Sequence, residues 1–245
     1  MKHFNEQISK AKTIAITGHI HPDGDCIGSC LALKQYILDN YSGKKVDVYL
    51  ESISTEFCFL SHAQEIITES KDDESYDLFF VLDCGSEDRY EPFAAMVRCA
   101  KTLIGIDHHI SNPIFGDVNY AKGEIGSACE VLYTLFEEDK INYNVAMCLY
   151  TGMVHDTGVF QYSNVTPDTL TRAAKLIAFG IPFTDLIQKT FYEKGFNEAR
   201  ASAYAISKAA QLLDGFFVWS YMTIKEMERF QITSAELDSV VSELR

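Results

Sequence analysis

The chain has no run of basic residues, no Cys-x-x-Cys pair and no long apolar stretch. Each absence closes off a class of function. With a formal net charge of −14 and its Lys and Arg scattered, the protein is unsuited to wrapping long nucleic acid by neutralising phosphates. A small phosphate-bearing substrate, held by metal ions and a few local cations, stays open. No apolar stretch approaches the roughly 20 residues that span a bilayer, so no membrane partner is expected. The N-terminus, Met1-Lys2-His3-Phe4-Asn5-Glu6, lacks the apolar core of a signal peptide, which makes a cytoplasmic location the expectation.

The seven cysteines, at 26, 30, 58, 84, 99, 129 and 148, are odd in number and come without an export signal, which argues for reduced thiols. Cys26 and Cys84 lie beside acidic clusters, but they read as small buried residues in tight turns. Cysteine sulfur would favour zinc, whereas the carboxylates and imidazoles of this chain suit a harder ion such as manganese.

Five prolines and 47% apolar residues over 245 positions are ordinary for a packed globular protein with one large domain or one domain and a smaller attachment. Short apolar runs alternate with helical spacing through the first half, which predicts an α/β fold with a parallel β-sheet flanked by helices. Strands are expected near 13–17, 46–50, 78–82 and 102–106, with a weaker one around 65–67. A helix is expected over 27–38, after a glycine-bearing turn, and the chain reads as helical from 127 onward: 127–138, 144–155, 168–179 and 183–191. Ser127 with Glu130 forms a capping-box pattern, and Thr166-Pro167-Asp168 is a start signal. A long helix is predicted over 196–213, then a strand over 216–222, a short helix near 224–229 and another from Ser234. One strand and two helices do not make a self-sufficient domain.

The chemistry lies at the ends of the strands. Ile14-Ala15-Ile16-Thr17 runs into Gly18-His19-Ile20-His21-Pro22-Asp23-Gly24-Asp25, and Phe79-Phe80-Val81-Leu82 into Asp83-Cys84-Gly85. Leu103-Ile104-Gly105-Ile106 runs into Asp107-His108-His109. Ligands of parallel sheets bind at the carboxyl ends of the strands, so these groups converge if the strand assignments hold. Converging carboxylates raise one another's pKa unless a cation sits among them, and these turns carry little Lys or Arg. Two divalent ions would balance four carboxylates. Any one of these Asp or His residues would ordinarily be a helix cap or a solvated turn group; their joint occurrence makes a metal site the better reading. Asp156 adds an acid at the end of an otherwise apolar helix, against the helix dipole.

Together, His19-x-x-x-Asp23-x-Asp25, Asp83, Asp107-His108-His109 and Asp156 resemble the four ordered motifs of the DHH phosphoesterase family, and within it the group of bifunctional oligoribonucleases and pAp phosphatases. The resemblance spans essentially the whole chain. It implies two metal ions, usually Mn²⁺, with Mg²⁺ or another divalent ion also possible. His19, Asp23 and Asp83 would hold one ion; Asp25, Asp83, His108 and Asp156 would hold the other. His109 would face the substrate phosphate as a catalytic group, and Asp107 would orient the neighbouring histidines. The implied reaction is hydrolysis of short oligoribonucleotides to nucleoside monophosphates, or of pAp to AMP and phosphate. His21 and His155 have no ligand role in that resemblance and read as surface groups or groups behind the ligands. Arg89 and Arg172 are candidate structural or phosphate-side cations, with surface ion pairing the preferred reading for each.

The resemblance also implies a domain plan: a DHH catalytic domain over 1–190, a connector helix over 191–213 and a partial DHHA1 substrate-binding domain over 214–245. A full DHHA1 domain carries a Gly-Gly-Gly-His signature. This chain has no Gly-Gly and no histidine after His155, so the DHHA1 part reads as truncated, and metal binding with poor turnover of short RNA is the expectation. The alternatives are a manganese inorganic pyrophosphatase, a cyclic- or linear-dinucleotide phosphodiesterase, and a non-catalytic nucleotide-binding protein. The first needs clustered cations in the C-terminal part, where Lys208, Lys225, Arg229 and Arg245 are scattered. The last predicts a broken metal set, whereas His19, Asp23, Asp25, Asp83, His108, His109 and Asp156 are all intact.

Overall fold

A computed structural model describes residues 2–71, 74–110, 116–234, 237, 240 and 244. In chain order the elements are α1 (Lys2–Lys10), β1 (Thr13–Thr17), α2 (Gly24–Asn40), β2 (Lys45–Tyr49), β3 (Leu78–Leu82), α3 (Ala94–Arg98), β4 (Leu103–Asp107) and β5 (Val118–Ala121). There follow α4 (Ala128–Leu135), α5 (Tyr143–Asp156), α6 (Pro167–Ile177), α7 (Phe183–Ile187), α8 (Phe196–Ser207), β6 (Ala210–Leu212), β7 (Phe217–Trp219) and α9 (Ile224–Phe230). Two compact units divide the chain, Met1–Phe191 and Tyr192–Arg245.

The first unit is built on a five-stranded sheet in the order β2-β1-β3-β4-β5, with every pairing parallel. Its central strand shows why the sequence reads as an unbroken apolar run. Leu78, Phe80 and Leu82 face the layer containing α2, α4 and α5, while Phe79 and Val81 face the smaller cluster with Tyr49, Tyr76, Phe93 and Met96. A strand covered on both faces needs apolar side chains on both. α2 is buried along almost its whole length. It approaches α5 closely because Gly28 and Gly152 present no side chain there: a Cβ on Gly28 would stand 2.6 Å from the Cys148 carbonyl oxygen.

Several expectations are corrected. Lys2–Lys10 forms a helix that was not expected, held by Phe4 and Ile8 one turn apart, both fully buried. Val118–Ala121 adds an edge strand too short and too polar to read from the sequence. The weak strand around 65–67 is reduced to one bridge between Ile67 and Tyr49. The 183–191 helix is α7 followed by a π-helical turn over Gln188–Tyr192.

In the second unit the long helix ends at Ser207. The chain then forms an antiparallel hairpin, with Ala210 opposite Trp219 and Leu212 opposite Phe217. Its turn uses left-handed backbone at Leu213, Asp214 and Gly215, with φ of 50°, 53° and 90°. The expected 216–222 strand is therefore confined to β7. The helix expected from Ser234 falls largely outside the described residues. Among the described residues, no helix is long and apolar enough to cross a membrane.

Candidate metal centre

Four backbone segments deliver carboxylates and imidazoles to the carboxyl edge of the sheet. After β1 the chain turns at Gly18, where a Cβ would meet Cys26 Sγ at 2.2 Å, and this lets the turn sit down against α2. Asp23 then caps α2, accepting from the Asp25 and Cys26 amides through Oδ1 at 3.0 and 3.1 Å. Asp25, in the first turn, is fully buried. Its Oδ2 accepts from the Ala128 amide at 2.5 Å and its Oδ1 from the Cys129 amide at 3.0 Å, so the start of α4 fixes both oxygens.

At the end of β3, Asp83 adopts a left-handed backbone with φ of 54°, which Asp tolerates better than most residues. Its amide still donates to the Ile106 carbonyl at 2.9 Å, so the residue stays tied to β4 while its side chain faces the neighbouring imidazoles. Asp107 closes β4 and is buried. Its Oδ1 lies 2.7 Å from His109 Nδ1. Asp156 is the last residue of α5.

These side chains converge. His19 Nε2 lies 3.6 Å from Asp23 Oδ1 and 3.4 Å from Asp83 Oδ2. His108 Nε2 lies 2.9 Å from Asp156 Oδ2, 3.3 Å from Asp83 Oδ1 and 4.0 Å from Asp25 Oδ2. Three donor groups result, each with its donor atoms within 4.8 Å of one another: His19, Asp23 and Asp83; Asp25, His108 and Asp156; and Asp83 with Asp107, His108 and His109. All eight residues singled out from the sequence thus meet at one place.

The electrostatics of the site favour positive charge among the carboxylates. Burial would lower the pKa of His19, yet the Asp23 and Asp83 carboxylates carry it up to about 12. Burial likewise opposes protonation of His108, and Asp156 and Asp83 push it up to about 11. Burial drives the Asp25 carboxyl upward, reinforced by Asp83 and Asp156, and burial also raises Asp156. Asp83 resists the same burial and is held well below the usual carboxylate range by His108 and His19. Despite their short contacts, Asp83 Oδ1 and His108 Nε2 are buried without a formed hydrogen bond. Buried polar atoms are ordinarily satisfied, so two orphans facing one space fit a cation between them. Oxygen and imidazole donors suit a divalent ion, and no thiol need take part: burial pushes the Cys26 and Cys84 thiols up, away from the ligating thiolate.

The groups open into a cavity of about 560 Å³ lined by His19, Asp23, Asp83, Gly85, Ser86, Arg89, His109 and Asp156. Arg89 is the residue that sequence reasoning undervalued. Its guanidinium lies 3.1 Å from His19 Nδ1 and lines the cavity, and its carbonyl accepts from the Ile20 amide at 2.7 Å. Only its proximity to Asp83 in sequence hinted at this. Arg172 instead pairs with the exposed Asp168, as expected, and also with Glu130, which is buried. His21 is exposed beside Glu51, whereas His155 is no surface group: its ring packs on Gly24, and its Nε2 lies 3.0 Å from the Thr190 hydroxyl.

A parallel sheet with an Asp- and His-rich carboxyl edge of this kind defines a class, and the model of the DHH family N-terminal domain matches residues 13–153. That is more than half of the chain, and the chain belongs to the DHH family. It is 26% identical over 242 residues to the bifunctional oligoribonuclease and PAP phosphatase NrnA of Bacillus subtilis, covering 97% of this chain and 75% of that protein. It is also 23% identical over 242 residues to a probable manganese-dependent inorganic pyrophosphatase of Staphylococcus aureus, covering 95% of this chain and 74% of that protein. The crystal structure of an exopolyphosphatase-related protein from Bacteroides fragilis superposes with a TM-score of 0.89 at 22% identity, over 99% of this chain and 75% of that one. The last likeness concerns the fold.

Proposed function

We propose that this protein is a two-metal phosphoesterase that hydrolyses short oligoribonucleotides to nucleoside monophosphates and pAp to AMP and phosphate. The observation that carries the reading is the overlap of the donor groups: Asp83 belongs to two of them, and so does His108. In this reading His19, Asp23 and Asp83 hold one ion, and Asp25, Asp83, His108 and Asp156 hold the other, with Mn²⁺ the preferred metal and Mg²⁺ a substitute. When bound, such a pair acidifies water and offsets charge on phosphoryl oxygens.

The chain's own residues do the rest. Asp107 directs the His109 ring through Nδ1 and favours its protonated form, whose Nε2–H donates to a phosphoryl oxygen as negative charge builds. Arg89 adds a second fixed positive charge on the cavity wall. No Ser or Cys nucleophile is needed, and burial pushes the Cys26 and Cys84 thiols up, away from the reactive thiolate. A cytoplasmic location belongs to the same reading and is supported by the odd count of seven cysteines.

The pyrophosphatase reading is kept as the second, on the strength of the likeness to the Staphylococcus aureus protein. Against it, Lys208 is already engaged by Glu226 at 2.7 Å and by the Tyr221 ring at 4.2 Å. One competition assay separates the readings: pAp, linear pApA, cyclic di-AMP and pyrophosphate, each with manganese, alongside Asp83→Ala. The expected result is manganese-dependent release of AMP from pAp and pApA that disappears in the variant. A clear preference for pyrophosphate would overturn the proposal.

A further inference from the structure

Asp25 and Asp156 stand on different helices, and their own motifs do not explain what fixes one against the other. Both oxygens of Asp25 are taken by the Ala128 and Cys129 amides. These belong to the first turn of α4, where N–H groups have no helical partner. Each carboxylate oxygen keeps a further lone pair for a cation. The position of Asp25 therefore follows that of the α4 N-terminus.

That terminus is gripped from behind by residues outside the four metal-site motifs. Glu130 is only 1% exposed; its Oε2 accepts from the Gly126 amide at 3.3 Å and the Thr169 hydroxyl at 3.1 Å, and its Oε1 pairs with Arg172. Asn164 donates through Nδ2 to the Gly126 carbonyl at 3.0 Å and to the Asp156 carbonyl at 3.0 Å. The second acceptor lies at the end of α5, where a carbonyl lacks a helical donor. Beyond it, Gly158, Val159 and Phe160 run through left-handed backbone with φ of 54°, 55° and 61°. A β-branched residue rarely takes that conformation, and such a turn persists only when its surroundings impose it. One side-chain amide thus ties the turn that fixes Asp25 to the backbone of Asp156.

We infer that Asn164 and Glu130 are positioning residues of the metal centre, setting the separation of Asp25 and Asp156 and so the affinity for the ion those two carboxylates share. The inference rests on the two-metal reading above and deepens it. Partners behind metal ligands commonly change metal affinity by about 10- to 100-fold when removed.

The test is calorimetric titration of the full chain with Mn²⁺, paired with thermal melts in EDTA, for the wild type, Asn164→Ala and Asn40→Ala. Asn40 is a matched control: at the far end of α2, its Nδ2 also bridges two carbonyls, those of Tyr36 at 2.9 Å and Lys140 at 3.3 Å. Expected is wild-type uptake of two ions, with Asn164→Ala weakened about tenfold or more at one of them and unchanged at the other. Asn40→Ala should melt lower in EDTA yet bind both ions as the wild type does. Wild-type affinity at both ions in Asn164→Ala would overturn the inference, as would an equal loss in both variants, which is the signature of general destabilisation. Should Asn164→Ala not fold, Glu130→Gln carries the same test: weakening at that one ion supports the inference and wild-type binding overturns it. A wild type that takes up no divalent ion would instead sink the two-metal reading itself.

Discussion

His108 and His109 are adjacent in sequence and divided in what they face. His108 turns its Nε2 toward three carboxylates, whereas His109 is 44% exposed at the cavity wall with Asp107 behind it. The Asp107 hydrogen bond raises the His109 pKa, so the imidazolium persists above the ordinary histidine value of about 6.5. If the cation stabilises charge on phosphate, activity is present below the raised pKa and falls as pH rises through it. His109→Asn should lower kcat on pAp by about 10²- to 10³-fold while leaving uptake of both ions intact. Asp107→Asn should lose less and shift the alkaline limb of the rate profile toward acid. Steady-state kinetics across pH, with metal content measured in parallel, checks both. Loss of metal from His109→Asn would contradict the assigned role.

At the scale of elements, the α2–α5 contact sets the frame for the site. Asp25 lies in the first turn of α2 and Asp156 closes α5, and the helices approach through Gly28 and Gly152. A Cβ at Gly152 would stand 2.4 Å from Asp25 Oδ1, and one at Gly28 would meet backbone at 2.6 Å. Backbone cannot rotate away as a side-chain tip can. Gly28→Ala should therefore destabilise the chain by about 1–3 kcal/mol, read from urea unfolding. An unchanged midpoint would show that the helices are free to separate.

The same scale explains what was legible in the sequence. The ends of β1, β3 and β4 were readable because a doubly covered strand is a continuous apolar run, and polar residues that break it stand out. Edge strand β5 has no such run. The 196–213 stretch keeps helical composition past Ser207, but local left-handed turns and hairpin pairing override it. Asn164, Glu130 and Arg89 each owe a decisive contact to a residue distant in the chain: Gly126 for Asn164, Thr169 for Glu130 and His19 for Arg89, at separations of 38, 39 and 70.

For the whole molecule, the net charge of −14 has a structural counterpart in four carboxylates, Asp23, Asp25, Asp83 and Asp156, gathered around two imidazoles. Without a metal, the positive charge they require is supplied by protons on His19 and His108, whose pKa values are pushed up to about 12 and about 11. Metal ligation needs neutral imidazole, so each bound ion must displace such protons, and affinity must rise with pH. An ion that binds only the folded chain also raises its melting temperature.

The most direct measurement is therefore calorimetric titration with Mn²⁺ near neutral pH, in buffers of differing ionisation enthalpy, which counts ions bound and protons released together. Expected are two ions per chain, release of about two protons as both histidines become ligands, and collapse of this uptake in Asp83→Ala. Saturable binding without proton release, or two ions still held by Asp83→Ala, would contradict the two-metal reading.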